Sequence, residues 1–161
     1  MEYTCQTTPE VFMHWIIVLL VACVSLTAEE KTPAQCQLAV EQLTKEIRKR
    51  DNLLKHQFRG EAYFTLHQHP EAIDDLSYVI KNLMPVLKEQ ATQESLQEQK
   101  MLLRCLCVRH LSYSLSGEDD LAAVDLEQIK PLLKNPRLKE EFPDYIEGLQ
   151  LLITHEEAKK D

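Results

Sequence analysis

Residues 58–80 read FRGEAYFTLHQHPEAIDDLSYVI, and the fold turns on how this stretch is read. Apolar side chains recur at helical spacing on both sides of the polar tripeptide His67-Gln68-His69, and Pro70 is well placed to open a second helix. Two helices joined by a short turn follow. Gly60 lies on the first and Ala72 on the second. Small residues at a helix crossing let the two axes approach, and Tyr63 and Leu76 are spaced to fill the volume beside it.

Working outward, the same period continues in both directions. Thr32-Pro33 is an N-cap followed by proline at the first helical position, and the helix it opens runs to about Arg50 with Cys36, Val40, Leu43 and Ile47 on one stripe. Asp51-Asn52 breaks and recaps the chain. The next helix carries Leu54, Phe58, Ala62 and Leu66 at intervals of four, expected to pack as a stripe. After the His67–His69 turn come Ala72, Ile73, Leu76, Val79, Ile80 and Leu83, and Pro85 is expected to end or kink that helix. Lys88–Lys100 is rich in Gln and Glu, so its early part should be exposed. From Met101 to Leu115 apolar residues surround the helix, which implies burial on several sides. Ser116-Gly117 stops it, and Glu118-Asp119-Asp120 place acidic groups at the next helix start. Ala122, Leu126, Ile129 and Leu133 stripe that helix, with a break at Pro131. A connector from Asn135-Pro136 leads to a last helix from Pro143 that should bury Tyr145, Ile146, Leu149, Leu152 and Ile153. No strand alternation occurs and only 3 glycines are present, so the fold class is all-α.

The spacing Gly60, Tyr63, Ala72, Leu76, with Val79 after it and Pro85 closing the unit, resembles a tetratricopeptide repeat. His56, Arg59 and His67 depart from that pattern, standing where the family has Trp, Leu and the turn Gly. Fifty residues on, Tyr113, Ala122, Leu126 and Ile129 match Tyr63, Ala72, Leu76 and Val79, while His110 replaces the glycine. The family period is about 34, so the extra residues must lengthen helices or a loop, and Lys88–Lys100 is the place for them. Upstream, Ala39 and Leu43 repeat the spacing of Ala72 and Leu76 thirty-three residues earlier, as a lone second helix would. The resemblance is strong over 53–85, weaker over 104–134 and positional over 34–50. It implies a short stack of antiparallel helix pairs over 32–161, an alpha-alpha superhelix, holding a partner segment along the groove of the first helices. The groove-facing residues it implies are Gln57, Glu61, Phe64, Arg104, Cys107 and Leu111. The family's carboxylate clamp needs several basic or Asn side chains; here Arg104 alone fits and Glu61 opposes it. An irregular helical bundle with one matching hairpin is the alternative architecture.

Residues 1–28 are a separate problem. Ile16–Val24 is uninterrupted apolar sequence, followed by Ser25-Leu26-Thr27-Ala28 and then charge at Glu29-Glu30-Lys31. That order is the signal-peptide arrangement, with cleavage after Ala28. Residues 1–28 hold no Lys or Arg, which favours instead an uncleaved anchor over 11–28 with the domain facing the cytosol. Initiation at Met13 rather than Met1 would give a compact signal. Cys36, Cys105 and Cys107 remain beyond this segment: in an oxidising compartment Cys36 can pair with either of the others, and three small buried side chains are the alternative. Cys105 and Cys107, two apart on a helix, point in different directions and should not pair with each other.

The formal charge of −8 and the lack of interleaved basic and aromatic residues exclude nucleic acid as a main partner. The one basic run, Lys45, Arg48, Lys49 and Arg50, reads as a solvated helix end. His67-x-His69, and Cys107 with His110, are too few ligands for a metal site. Asp74-Asp75 read as a solvated face. No phosphate loop, nucleophile elbow or HExxH is present. The sequence therefore predicts no catalytic residues, metal or cofactor. The expected function is that of a non-enzymatic, protein-binding adaptor of the secretory pathway, in the endoplasmic reticulum lumen or outside the cell. A single-pass membrane receptor or assembly factor is the alternative.

Overall fold

The computed structural model describes residues 32–89, 96–141 and 143–158. Among them are seven helices and no strand: α1 (Pro33–Lys49), α2 (Leu53–Thr65), α3 (His69–Glu89), α4 (Leu96–Leu115), α5 (Asp119–Leu132), α6 (Pro136–Glu141) and α7 (Pro143–Ala158). Residues 1–28, read as a signal or anchor, lie outside the described residues. Among the described residues, no helix is long and apolar enough to cross a membrane.

Local signals set the helix ends. Thr32 Oγ1 accepts from the Gln35 amide at 3.3 Å while Gln35 Oε1 accepts from the Thr32 amide at 2.7 Å, a reciprocal cap on α1. Asn52 Oδ1 accepts from the Leu54 amide and caps α2. Each of α1 to α4 packs on the helix that follows it, and α2 also touches α4, so the order of these five helices in space follows the order in the chain; α6 packs on α7. α6 packs on α4, where Asn135 donates to Gln99.

Two apolar cores result. A small one joins Cys36 and Val40 of α1 to Ala62 of α2, with Tyr63 and Leu66 beside it. The large one runs from Leu76, Val79, Ile80 and Leu83 of α3 through α4 and α5 to Leu138, Ile146 and Leu149. As its sequence indicates, α4 is buried around its whole circumference. Leu43 and Ile47 of α1 are only half-buried. In α7 Ile146 and Leu149 are buried and Ile153 is half-buried; the side chains of Tyr145 and Leu152 lie outside the described residues.

Of the two outcomes expected at Pro85, an end or a kink, the first does not occur: α3 runs on to Glu89, and the Lys81 carbonyl that loses its amide partner belongs to an exposed residue, where water can satisfy it. Two further expectations are corrected. Leu54 and Phe58 do not pack but stand exposed, while Ala62 of the same stripe is buried. Intervals of four drift about 40° per step on a helix of 3.6 residues per turn, so that stripe winds from solvent into the core. Asp75 is not a solvated carboxylate: Asp74 is exposed, but Asp75 is buried and ion-paired.

Candidate protein-binding face

Gly60 and Ala72 lie at the α2–α3 crossing. A Cβ on Gly60 would stand 3.0 Å from Leu76 Cγ and 3.3 Å from Asp75 Cβ, so the absent side chain is what permits the approach. Ala72 and Leu76 are fully buried. In the second pair His110 takes the glycine's place. Its ring is buried and its Nδ1–H donates to the Ala122 carbonyl at 2.9 Å, which satisfies it within the crossing.

Beside each crossing lies a buried ion pair. Arg59 holds Asp75 with two bonds of 2.6 and 2.7 Å, and its third nitrogen donates to Thr44 of α1 at 3.0 Å. Arg109 holds Asp125 with two bonds, 3.0 Å from Nε and 2.5 Å from Nη2, and donates to Ser77 of α3 at 2.9 Å. Each guanidinium also sits over a tyrosine ring, Arg59 5.9 Å from the Tyr63 centroid and Arg109 5.7 Å from that of Tyr113. Thus one arginine ties together both helices of its own pair and the helix before it. The first pair carries an extension. His56 Nδ1 lies 2.7 Å from Asp75 and its Nε2 3.0 Å from Asp51, which in turn accepts from the Tyr78 hydroxyl at 2.6 Å. The Tyr78 hydroxyl, chiefly, holds the Asp51 carboxyl below its usual range.

These clamps escaped the sequence reading although the signal was present. The shift of fifty that relates Tyr63 to Tyr113 also carries Arg59 to Arg109 and Asp75 to Asp125, and the shift of thirty-three that relates Leu43 to Leu76 carries Thr44 to Ser77.

The groove residues expected from sequence divide into two sets. Gln57 is buried and donates to Glu61 at 2.8 Å, and Glu61 receives two bonds from Arg104 across to α4. Phe64 is half-buried, edge-on to His69 at 5.8 Å. These four form one patch where α2 meets α4. Cys107 and Leu111 are buried in the large core. The open surface next to the patch is α2 itself: Leu54, Phe58, Glu61 and Thr65 follow one helical face, with Leu54 43% and Phe58 47% exposed. An exposed apolar pair thus borders a fixed charge pair.

The three described cysteines are free and buried; Cys36 sits in the small core and the other two in the large one. Burial, chiefly, pushes the Cys105 thiol far above its ordinary range, so it is a poor nucleophile. His67 and His69 stack edge-on at 6.1 Å, and burial holds the His69 ring below its ordinary pKa. Among the described residues no group of three His, Cys, Asp or Glu side chains is placed to hold a metal. No family model matches this chain, and no curated protein or solved structure is significantly similar to it.

Proposed function

We propose that residues 32–161 form a small tetratricopeptide-like stack, a non-enzymatic adaptor that binds a segment of another protein along the outer face of α2. The observation that carries this reading is the exposed pair Leu54 and Phe58 beside Glu61, which Arg104 and Gln57 hold in place. Exposed apolar side chains next to an ordered polar group are what a peptide-binding surface offers: one supplies burial energy, the other orientation. The Gly60–Leu76 spacing and its echo at Tyr113–Leu126 support the repeat.

The apolar run before Ala28 favours the secretory pathway as its place of work. The absence of Lys and Arg from residues 1–28 favours the second reading, a membrane-anchored receptor or assembly factor facing the cytosol. Mass spectrometry of the protein expressed in animal cells separates the two: loss of residues 1–28 supports a signal, and an intact chain in the membrane fraction supports an anchor. For the binding face, the test is co-purification of partners with Phe58→Ser and with Glu61→Lys, each shown to be folded by circular dichroism. Both variants should lose the partners that the parent retains. Retention of every partner by both overturns the proposed face.

A further inference from the structure

The two ends of the helix stack carry outward rows that match each other. On α1 the face turned away from Cys36 and Val40 presents Leu38, Gln42, Lys45 and Lys49, all exposed. On α5 the face turned away from Ala122 and Ile129 presents Asp120, Val124, Glu127 and Pro131, all exposed. Leu38 is 54% and Val124 53% exposed. Both rows have the same spacing, so each forms a straight ridge of four side chains about 6 Å apart along the helix.

We propose that these ridges are the two halves of one interface, through which the α1 face of one copy docks on the α5 face of a second copy, head to tail. Neighbouring helices in this stack run antiparallel through short turns, and a helix continuing the stack beyond α5 would do so too. Antiparallel docking sets Lys49 opposite Asp120, Lys45 opposite Val124 with Asp120 and Glu127 on either side, Gln42 opposite Glu127, and Leu38 opposite Pro131. The basic last turn of α1, with Arg48 and Lys49, then lies on the acidic first turn of α5, with Asp119 and Asp120. The opposed helix dipoles add to the attraction. In parallel docking Lys49 would instead meet the Lys130 end of α5. Among the described residues nothing closes the α5 end, because α6 turns onto α4 and leaves Val124 and Leu121 open.

The surface pairs that now engage these residues, Lys49 with Glu46 and Glu127 with Lys130, are exposed and exchange readily. The contact joins unlike faces, so it adds copies in a line. The buried apolar area is small, and the charges set orientation more than strength.

Sedimentation velocity of the full chain over a concentration series tests this. The weight-average sedimentation coefficient should rise with concentration and fall back with added salt. Lys45→Glu with Lys49→Glu should raise the apparent Kd roughly tenfold or more. Adding Asp120→Lys and Glu127→Lys to that variant should restore association, an outcome that misfolding cannot produce. A monomer at every concentration overturns the proposal. So does association that the α1 reversals leave unchanged, or that the four-fold charge swap fails to restore.

Discussion

The α2–α3 and α4–α5 pairs are built on one plan and finished differently. Both use an arginine that binds an aspartate on the partner helix and a hydroxyl on the helix before, and both stack that arginine on a tyrosine. They differ in what surrounds the clamp. In the first pair His56, Asp51 and Tyr78 continue the polar network to the surface. At the position of His56 the second pair has Leu106, fully buried. The first pair reaches solvent beside its clamp, at Asp51 and Tyr78, and can extend hydrogen bonds toward water. Beside its clamp the second pair is covered by the apolar core it shares with α3, α6 and α7, and fills its space with hydrocarbon. What packs around the clamp, not the clamp itself, decides the filling.

That contrast can be broken most severely at the arginines. Arg109→Met strands Asp125, which is fully buried and whose partner is Arg109, and should cost about 3–5 kcal/mol in urea unfolding. Arg59→Met should cost less, toward the lower end of that range, because His56 still faces Asp75. Equal losses would mean that the His56 extension contributes nothing. The crossing comes next. Gly60→Val should destabilise by about 1–3 kcal/mol through overpacking against Leu76. His110→Val, which removes one buried hydrogen bond, should cost about 1 kcal/mol.

The turns give a smaller effect with opposite signs. His67 and Gly117 occupy equivalent places, both with left-handed backbone, at φ 57 and φ 76. In each turn the amide of the following residue closes back on a tyrosine carbonyl at 2.9 Å, Gln68 on Tyr63 and Glu118 on Tyr113. His67→Gly should therefore raise stability by about 1 kcal/mol, and Gly117→Ala should lower it by a similar amount. A Cβ at Gly117 meets nothing, so that loss would be backbone strain alone.

The mildest test uses acid. His69, where the second pair has Asp119, has its folded pKa depressed first by burial and then by the charge of His67. The unfolded chain takes up this proton near its ordinary value of about 6.5. The contribution of His69 is thus fully present above that pH and is lost as pH falls through it toward the lower folded value. Thermal unfolding at about pH 7.5 and about pH 5 should show a smaller acid loss in His69→Asn than in the parent.

Much of the molecule was legible in the chain alone. Helical period, the Thr32 and Asn52 caps, the Gly117 stop and the all-round apolar character of Met101–Leu115 are local properties, and each appears where the residues place it. The same holds for the small residues at the crossing, because Gly60 and Ala72 advertise close approach by lacking side chains. Of the Lys88–Lys100 tract expected to take up the extra residues, 88–89 end α3 and 96–100 begin α4, and both helices are longer than α2 and α5.

Tertiary structure alone decided the fate of the charges and of the helix faces. Whether Asp75 meets water or Arg59 depends on a helix sixteen residues away, and nothing in Asp74-Asp75 distinguishes the exposed carboxylate from the buried one. Whether Phe58 packs or stands open depends on which side of α2 its neighbours cover. Cys107 and Leu111, read as groove residues, lie in the core because the centre of the stack closes over α4. Helical period is written in the backbone and its nearest neighbours, whereas burial is a property of what comes to lie opposite, and only packing determines that.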